Sequence, residues 1–263
     1  IQSTDRLHLY DQHYFTQNVE GADLFNAFDG SVEQLLPMYQ EFFRSLNIGP
    51  NMRVLDLGCG RGEFVIAAAK AGASAVGIDF AEAALDLAKK KLDELNQKNP
   101  GLRERVEFRH GLASEFQAAE ESFDVVLLTE VAEHISTQEL QKTLHLAYRA
   151  LRPGGKILVY SYPNTWQRRI GYPLIRFGSL LLKGKRLPRK QPDQMDEHYY
   201  DVHINEMNPW YLRHQLVLAK FRPQVHVGWK NHDPKLNFFG KLLNNGALRL
   251  FFSHNLVGYG EKK

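Results

Sequence analysis

A single cysteine, Cys59, stands in 263 residues, so no intrachain disulfide and no cysteine-built zinc site can form. That usage fits a reducing compartment. No stretch approaches the roughly 18 consecutive apolar residues that span a bilayer. Ile1 to Tyr10 holds neither an apolar run nor a basic leader, so no secretory signal is visible and the expected location is cytoplasmic. Internal repeats and low-complexity segments are also missing. A large charge of one sign is lacking too: 33 basic against 30 acidic groups leave a net +3, and no global field selects nucleic acid or an anionic surface. Such a preference has to come from local clustering. What remains is an ordinary globular composition, 43% hydrophobic and 24% charged, long enough for one large α/β domain.

Hydrophobic patterning alternates between strand and helix. Apolar residues from Val32 to Leu46 follow helical spacing, with Ser31 as the expected cap. Short β-rich runs follow at Arg53–Leu57, Ala75–Ile78, Val106–Arg109, Phe123–Leu128 and Lys156–Ser161. Helical stretches separate them at Glu63–Ala71, Glu82–Asn96 and Thr137–Leu151. Strands alternating with helices predict a doubly wound, mostly parallel sheet with helices on both faces. Thr165–Gln191 breaks the pattern: it is basic and apolar with no acidic residue, and reads as an insertion. Pro209–Ala219 resumes as a helix, and Gln224–Lys230 and Leu250–Gly260 read as two closing strands, the last of them antiparallel. One domain is expected, with covering helices over 1–48, a core over 49–163, an insertion or lid over 164–206, and closing elements over 207–263.

The strongest local signal is Val54-Leu55-Asp56-Leu57-Gly58-Cys59-Gly60-Arg61-Gly62. A buried strand here runs into a glycine loop and then a helix, at the edge of the sheet where open α/β folds bind ligands. Glycines there allow positive φ and close approach of a ligand to the backbone. Asp79 ends the next strand about 20 positions on, the spacing at which a carboxylate accepts the hydroxyls of an adenosine ribose. A dinucleotide prefers G-x-G-x-x-G with its pyrophosphate over the helix start. This loop is G-x-G-x-G followed by Glu63, and Glu63 and Asp56 set negative charge where a pyrophosphate would lie. A phosphate-free cofactor carrying a sulfonium and an ammonium suits such a loop better.

VLDLGCGRGEF, GIDF, SFDVVLLTEVAEHI and LRPGGKILVYSYPN resemble the successive motifs of class I S-adenosylmethionine-dependent methyltransferases, in the family's order and spacing. HINEMNPWYLRHQLVLAKF resembles that family's closing helix. The resemblance implies a seven-stranded Rossmann-like methyltransferase fold with an antiparallel last strand. It also implies S-adenosylmethionine as cofactor, held by Asp56, Gly58, Cys59 and Gly60 at the methionine end and by Asp79 at the ribose. Phe80 would lie beside the adenine, and Glu130 would face the cofactor. One departure stands out: where the family has Gly-Asp-Ala, this chain has Gly111-Leu112-Ala113, so the adenine contact falls to Leu112 and Ala113 backbone, to Ser114, or is not made.

Glu130, Glu133 and His134 form the candidate chemical cluster. If their turn is helical, Glu133 and His134 lie one turn from Glu130 on its face. Two carboxylates and an imidazole suit a hard divalent cation such as Mg²⁺. A similar Glu-x-x-Glu-His occurs in ubiquinone-biosynthesis O-methyltransferases and in the small-RNA 3′-terminal 2′-O-methyltransferases, which implies metal-assisted attack by an oxygen. His203 would be a fourth ligand; without metal, His134 or His203 would be the base, and a packing role for either histidine stays open.

The insertion carries Arg168, Arg169, Arg176, Lys183, Lys185, Arg186, Arg189 and Lys190 among leucines. It reads as a lid over the acceptor, as an amphipathic contact with an anionic membrane surface (165–191), or as a solvated basic loop hiding a short core helix. Tyr10, Tyr14, Phe15, Phe25 and Phe28 are expected to cover the cofactor or to pack in the core. Taken together, the residues point to O-methylation of a small, lipophilic or lipid-linked acceptor. An RNA 2′-O-methyltransferase and a catalytically silent cofactor binder are the rivals. Nucleic acid is disfavoured because no separate RNA-binding module is visible. Oligomeric state is not encoded in any motif.

Overall fold

Residues flanked by neighbours on both sides of a parallel sheet must be apolar on both faces, and the strand sequences meet that demand. In the computed structural model, which describes residues 10–18, 21–191, 199–227, 243 and 246–263, β1 (Arg53–Leu57) is buried from Val54 onward and β2 (Ser74–Asp79) from Ala75 onward. They are joined by β3 (Val106–His110), β4 (Phe123–Thr129), β5 (Leu151–Ser161), β6 (Arg222–Val227) and β7 (Leu256–Glu261) in a seven-stranded sheet ordered β3-β2-β1-β4-β5-β7-β6. Strands β1 to β5 pair in parallel, and β7 runs antiparallel to both β5 and β6. The strand order reverses between β1 and β4, so a crevice opens at their carboxyl ends.

Helices cover both faces. Against one face lie α1 (Pro37–Leu46), α2 (Glu63–Lys70) and α3 (Glu82–Lys98), sharing a core with Val54, Ala75, Leu127 and Leu158. The alternate residues Leu55, Val76, Val126 and Ile157 face the other way, packing against α4 (Thr137–Ala150) and α6 (Pro209–Leu218). Residue by residue alternation along each strand divides the core in two. Helix α2 buries Ala67, Ala68 and Ala69 in a row, which lets that end lie close on the sheet. A capping box at Ser136 and Glu139 starts α4, and Asn208 with Pro209 starts α6.

Several expectations need correction. The stretch Val32–Leu46 is not one helix: a 3₁₀ turn spans Val32–Gln34, Leu36 is extended (φ −51°, ψ 142°), and the helix proper begins at Pro37. Proline forces the residue before it out of the helical region. Ser31 makes no side-chain cap. The fifth strand begins at Leu151 rather than Lys156, because Phe123 pairs with Leu151 before the register shifts. Within Leu250–Gly260 the chain first turns helical over Arg249–Phe252, and only Leu256–Glu261 is strand. The sixth strand ends at Val227; residues 228–230 and most of the glycine- and asparagine-containing connection after them lie outside the described residues. The insertion contains an α-helix, α5 (Tyr172–Lys183), preceded by a π-helical turn over Gln167–Gly171.

Candidate active site

One cavity sits at the carboxyl ends of β1, β2 and β4, and its walls contain Asp56, Gly58, Cys59, Gly60, Asp79 and Phe80 together. The loop after β1 is shaped by backbone bonds: Gly58 and Cys59 N–H both donate to Ile78 O, at 2.7 and 3.1 Å. A Cβ on Gly58 would meet Val131 Cγ2 at 2.1 Å, whereas nothing lies within 4 Å of one on Gly60. Gly58 is therefore packed, and Gly60 opens toward the cavity. Cys59 points inward, with its thiol pushed well up by burial and by Asp79 and Asp56.

Asp79 is held from two sides. Gly60 N–H donates to Oδ2 and Ala81 N–H to Oδ1, both at 2.8 Å. Phe80 N–H also favours the ionised carboxyl, and a carboxylate offers about four acceptor sites, so these bonds leave room for a hydroxyl donor. Asp56 is different: it is buried, and among the described residues its Oδ1 has no hydrogen-bond partner. Burial, with Asp79 and Glu63 nearby, pushes its carboxyl up to about 7. A buried carboxylate oxygen without a partner is a costly arrangement that an arriving cation corrects. The ammonium of S-adenosylmethionine meets that need, so the donor set fits this cofactor. Leu112, Ala113 and Ser114 wall the far end, where the adenine would lie. Phe80 is braced by Tyr10, edge to face at 5.1 Å.

Glu130 and His134 both wall the cavity, as expected, but the turn between them is not helical. Glu130 sits at φ 56°, with its N–H bonded to Tyr160 O, and a tight turn closes from His134 N–H to Val131 O. Consequently Glu133 faces the other way. It is 1% exposed, accepts from Tyr162 N–H at 3.2 Å, and is pushed up to about 8 by burial. Among the described residues no group of three or more His, Cys, Asp and Glu side chains is placed to hold a metal ion. The expected set of Glu130, Glu133 and His134 is thus not assembled for Mg²⁺.

His134 Nδ1 lies 2.9 Å from Val202 O. A carbonyl only accepts, so the neutral ring carries its proton on Nδ1 and its lone pair on Nε2. His203 stands behind it, ring centroids 4.9 Å apart, stacked on Tyr199 and bonded through Nδ1 to Tyr199 O. It is not among the residues walling the cavity. Within the span 164–206, the described residue that reaches the wall is Val202, and α5 does not.

The sequence reading assigned no role to Arg61 and Tyr39, which also wall the cavity. Tyr14, expected as cover or as core packing, lies in a field of acids: burial and then Glu130, Glu133 and Asp79 raise its hydroxyl to about 12. The N-terminal aromatics do line the cavity, all five of them.

A family model described as a methyltransferase domain matches residues 54–155. The ubiquinone biosynthesis O-methyltransferase of Hydrogenovibrio crunogenus is 32% identical over 176 residues, covering 64% of this chain and 68% of that protein. The chain belongs to the S-adenosylmethionine-dependent methyltransferases. The enzyme of the same name from Azorhizobium caulinodans is 36% identical over 122 residues, and there the match spans only 45% of the relative's length. Solved structures agree on the fold. A SAM-dependent methyltransferase from Archaeoglobus fulgidus superposes with TM-score 0.57 at 19% identity, covering 90% of this chain and 97% of that one. Geranyl diphosphate C-methyltransferase from Streptomyces coelicolor A3(2) gives 0.58 at 15%, covering 88% and 79%.

Proposed function

We propose that the protein moves the methyl group of S-adenosylmethionine to an oxygen of a small lipophilic acceptor, with His134 taking the acceptor's proton. The observation that carries this reading is the polarity of one cavity. Its donor end holds Asp56, whose Oδ1 has no hydrogen-bond partner among the described residues, and Asp79, which accepts from two backbone N–H groups; Glu130 and His134 wall the same cavity with Tyr10, Tyr14 and Leu36. Methyl transfer from a sulfonium needs alignment and exclusion of water more than activation of the leaving group. The side chains do three things here. Asp56 and Asp79 fix the donor. The aromatic cover excludes water. Nε2 of His134, set as acceptor by the Val202 carbonyl, receives the proton as the oxygen attacks.

The names of the curated relatives, ubiquinone biosynthesis O-methyltransferases, support oxygen as the acceptor atom and a quinone precursor as the acceptor class. The proposal includes contact with an anionic membrane surface, from which such an acceptor would be delivered. Helix α5 buries none of its residues, leaves Phe177, Leu181 and Leu182 exposed, ends on Lys183, and is followed by Lys185, Arg186, Arg189 and Lys190. No helix among the described residues is long and apolar enough to cross a membrane.

The test is methyl transfer from labelled S-adenosylmethionine to an alkylated catechol and to a single-stranded RNA oligonucleotide, with and without chelator. Label in the catechol, unaffected by chelator, is expected. Replacing His134 by Ala should lower kcat by on the order of 10²–10⁴-fold with S-adenosylhomocysteine affinity unchanged. Label in the RNA alone would overturn the acceptor class, and tight cofactor binding with no label anywhere would make this a silent binder. Loss of activity on chelation would restore a metal to the mechanism.

A further inference from the structure

Arg61 lies between two left-handed glycines of the cofactor loop, Gly60 at φ 52° and Gly62 at φ 76°, and is 6% exposed. A buried guanidinium needs partners, and this one finds them outside the loop. Nη1 donates to the backbone carbonyl of Phe15 at 3.1 Å, Nη2 pairs with Glu63 Oε1 at 2.6 Å, and the guanidinium lies over the Phe25 ring at 4.7 Å. A second cation braces the same place from α3: Lys91 Nζ donates to Asn26 O at 3.1 Å and sits 5.3 Å from the Phe25 ring. Phe15 and Phe25 both wall the cavity that holds Asp56 and Asp79.

We propose that Arg61 is a positioning residue that latches the stretches bearing Phe15 and Phe25 over the methyl donor, so that donor and cover hold each other in place. The inference rests on the reading that this cavity takes S-adenosylmethionine. Its physical basis is that one backbone loop does two jobs. Gly60 N–H orients Asp79 toward the ribose, and the next residue clamps the cover. Anything that orders the loop therefore orders the latch, and by linkage the latch strengthens what the loop binds. Planarity matters: the guanidinium donates to Phe15 and Glu63 while stacking on Phe25, which an ammonium cannot do at once.

The test measures association and dissociation of S-adenosylhomocysteine by stopped flow on the full chain, for wild type, Arg61→Lys, Arg61→Met and Phe25→Leu. Arg61→Met should release the ligand about tenfold faster with its association rate little changed. Arg61→Lys should recover part of that loss by keeping one donor to Phe15 O, and Phe25→Leu should fall between. Chymotrypsin cleavage at Tyr14, Phe15 and Phe25 should be slowed by the ligand in wild type and much less in Arg61→Met. A merely structural role would lower the fraction of protein that binds without changing the dissociation rate. Wild-type dissociation and wild-type protection in Arg61→Met at full binding stoichiometry would overturn the latch. If Arg61→Met does not fold, wild-type dissociation rates in both Arg61→Lys and Phe25→Leu would overturn it. Failure of the wild type itself to bind S-adenosylhomocysteine would sink the cofactor reading, and the latch with it.

Discussion

At Gly58 and Gly60 the same residue type answers two different demands. Gly58 combines φ 81° with a Val131 methyl in the space a Cβ would fill, so Gly58→Ala should cost about 2 kcal/mol or more of stability. Gly60 has φ 52° and open space in front of it, so Gly60→Ala should cost only about 1–2 kcal/mol in backbone strain. Its new methyl would instead intrude on the methionine end of the donor. Denaturant unfolding should rank Gly58→Ala as the less stable, and calorimetry should show S-adenosylhomocysteine binding lost in folded Gly60→Ala. Asp79→Ala should weaken the same ligand by ~1–3 kcal/mol, through loss of charged hydrogen bonds to the ribose. Glu133 is a different kind of acid. Its folded-state pKa of about 8 is above the unfolded value, so the folded protein holds a proton that the unfolded chain releases. That contribution is complete at low pH and is lost as pH rises toward 8. Glu133→Gln mimics the protonated form, so it should gain on wild type by on the order of 1–3 kcal/mol between pH ~5 and ~9. Melting temperatures of the two proteins across that range decide it, and parallel curves would refute it.

Helices and strands of the core were legible because their apolar periods are unbroken, and the elements that escaped were those set by a single local event. Pro37 divides the first helical pattern by restricting Leu36, a constraint that periodicity alone does not register. The insertion had three expected readings, and the geometry bears on the lid alone: α5 does not wall the cavity, and it leaves apolar side chains exposed beside a run of cations. The prediction for α5 follows from that exposure. Sedimentation with vesicles of phosphatidylcholine and phosphatidylglycerol should carry the protein down, and vesicles of phosphatidylcholine alone should carry much less. Added salt should weaken the binding as exposed charges are screened. Leu181→Glu with Leu182→Glu should abolish it without changing cofactor affinity. Equal binding to both vesicle types would remove the electrostatic part of the argument.

On the scale of the whole molecule, the cavity gathers carboxyls that folding makes harder to ionise. Burial raises Asp56 to about 7 and shifts Asp79 and Glu63 upward as well. For each, the folded-state value exceeds the unfolded one, so the ligand-free protein should lose stability as pH rises from about 4 through 7. The exposed acids Asp29 and Glu107 run the opposite way, but their contribution is already complete above the ordinary carboxylate range. An arriving ammonium reverses the trend at Asp56, because it favours the ionised form. S-adenosylhomocysteine should therefore bind more tightly as pH rises to about 7, with a proton released on binding. Calorimetry in two buffers of different ionisation enthalpy measures that proton, and Asp56→Asn should remove it. The same affinity at pH ~5 and ~7, with no proton released, would exclude Asp56 as the group that meets the cation.

The sequence by itself determined the order of strands and helices, the glycine loop at the end of β1, and the carboxylate at the end of β2. These are local matters: period-dependent burial, positive-φ glycines and fixed spacing along a chain survive without knowledge of its neighbours. It did not determine which way a side chain turns after the strand ends. Glu130, Glu133 and His134 are close in sequence, yet a positive φ at Glu130 and the turn at Val131 send Glu133 into the core and leave the other two on the cavity wall. The tautomer of His134 depends on a carbonyl 68 residues away, and one partner of Arg61 lies 46 residues away at Phe15. Such contacts exist only once the sheet has closed around them, because a single hydrogen bond is too weak to bring distant segments together.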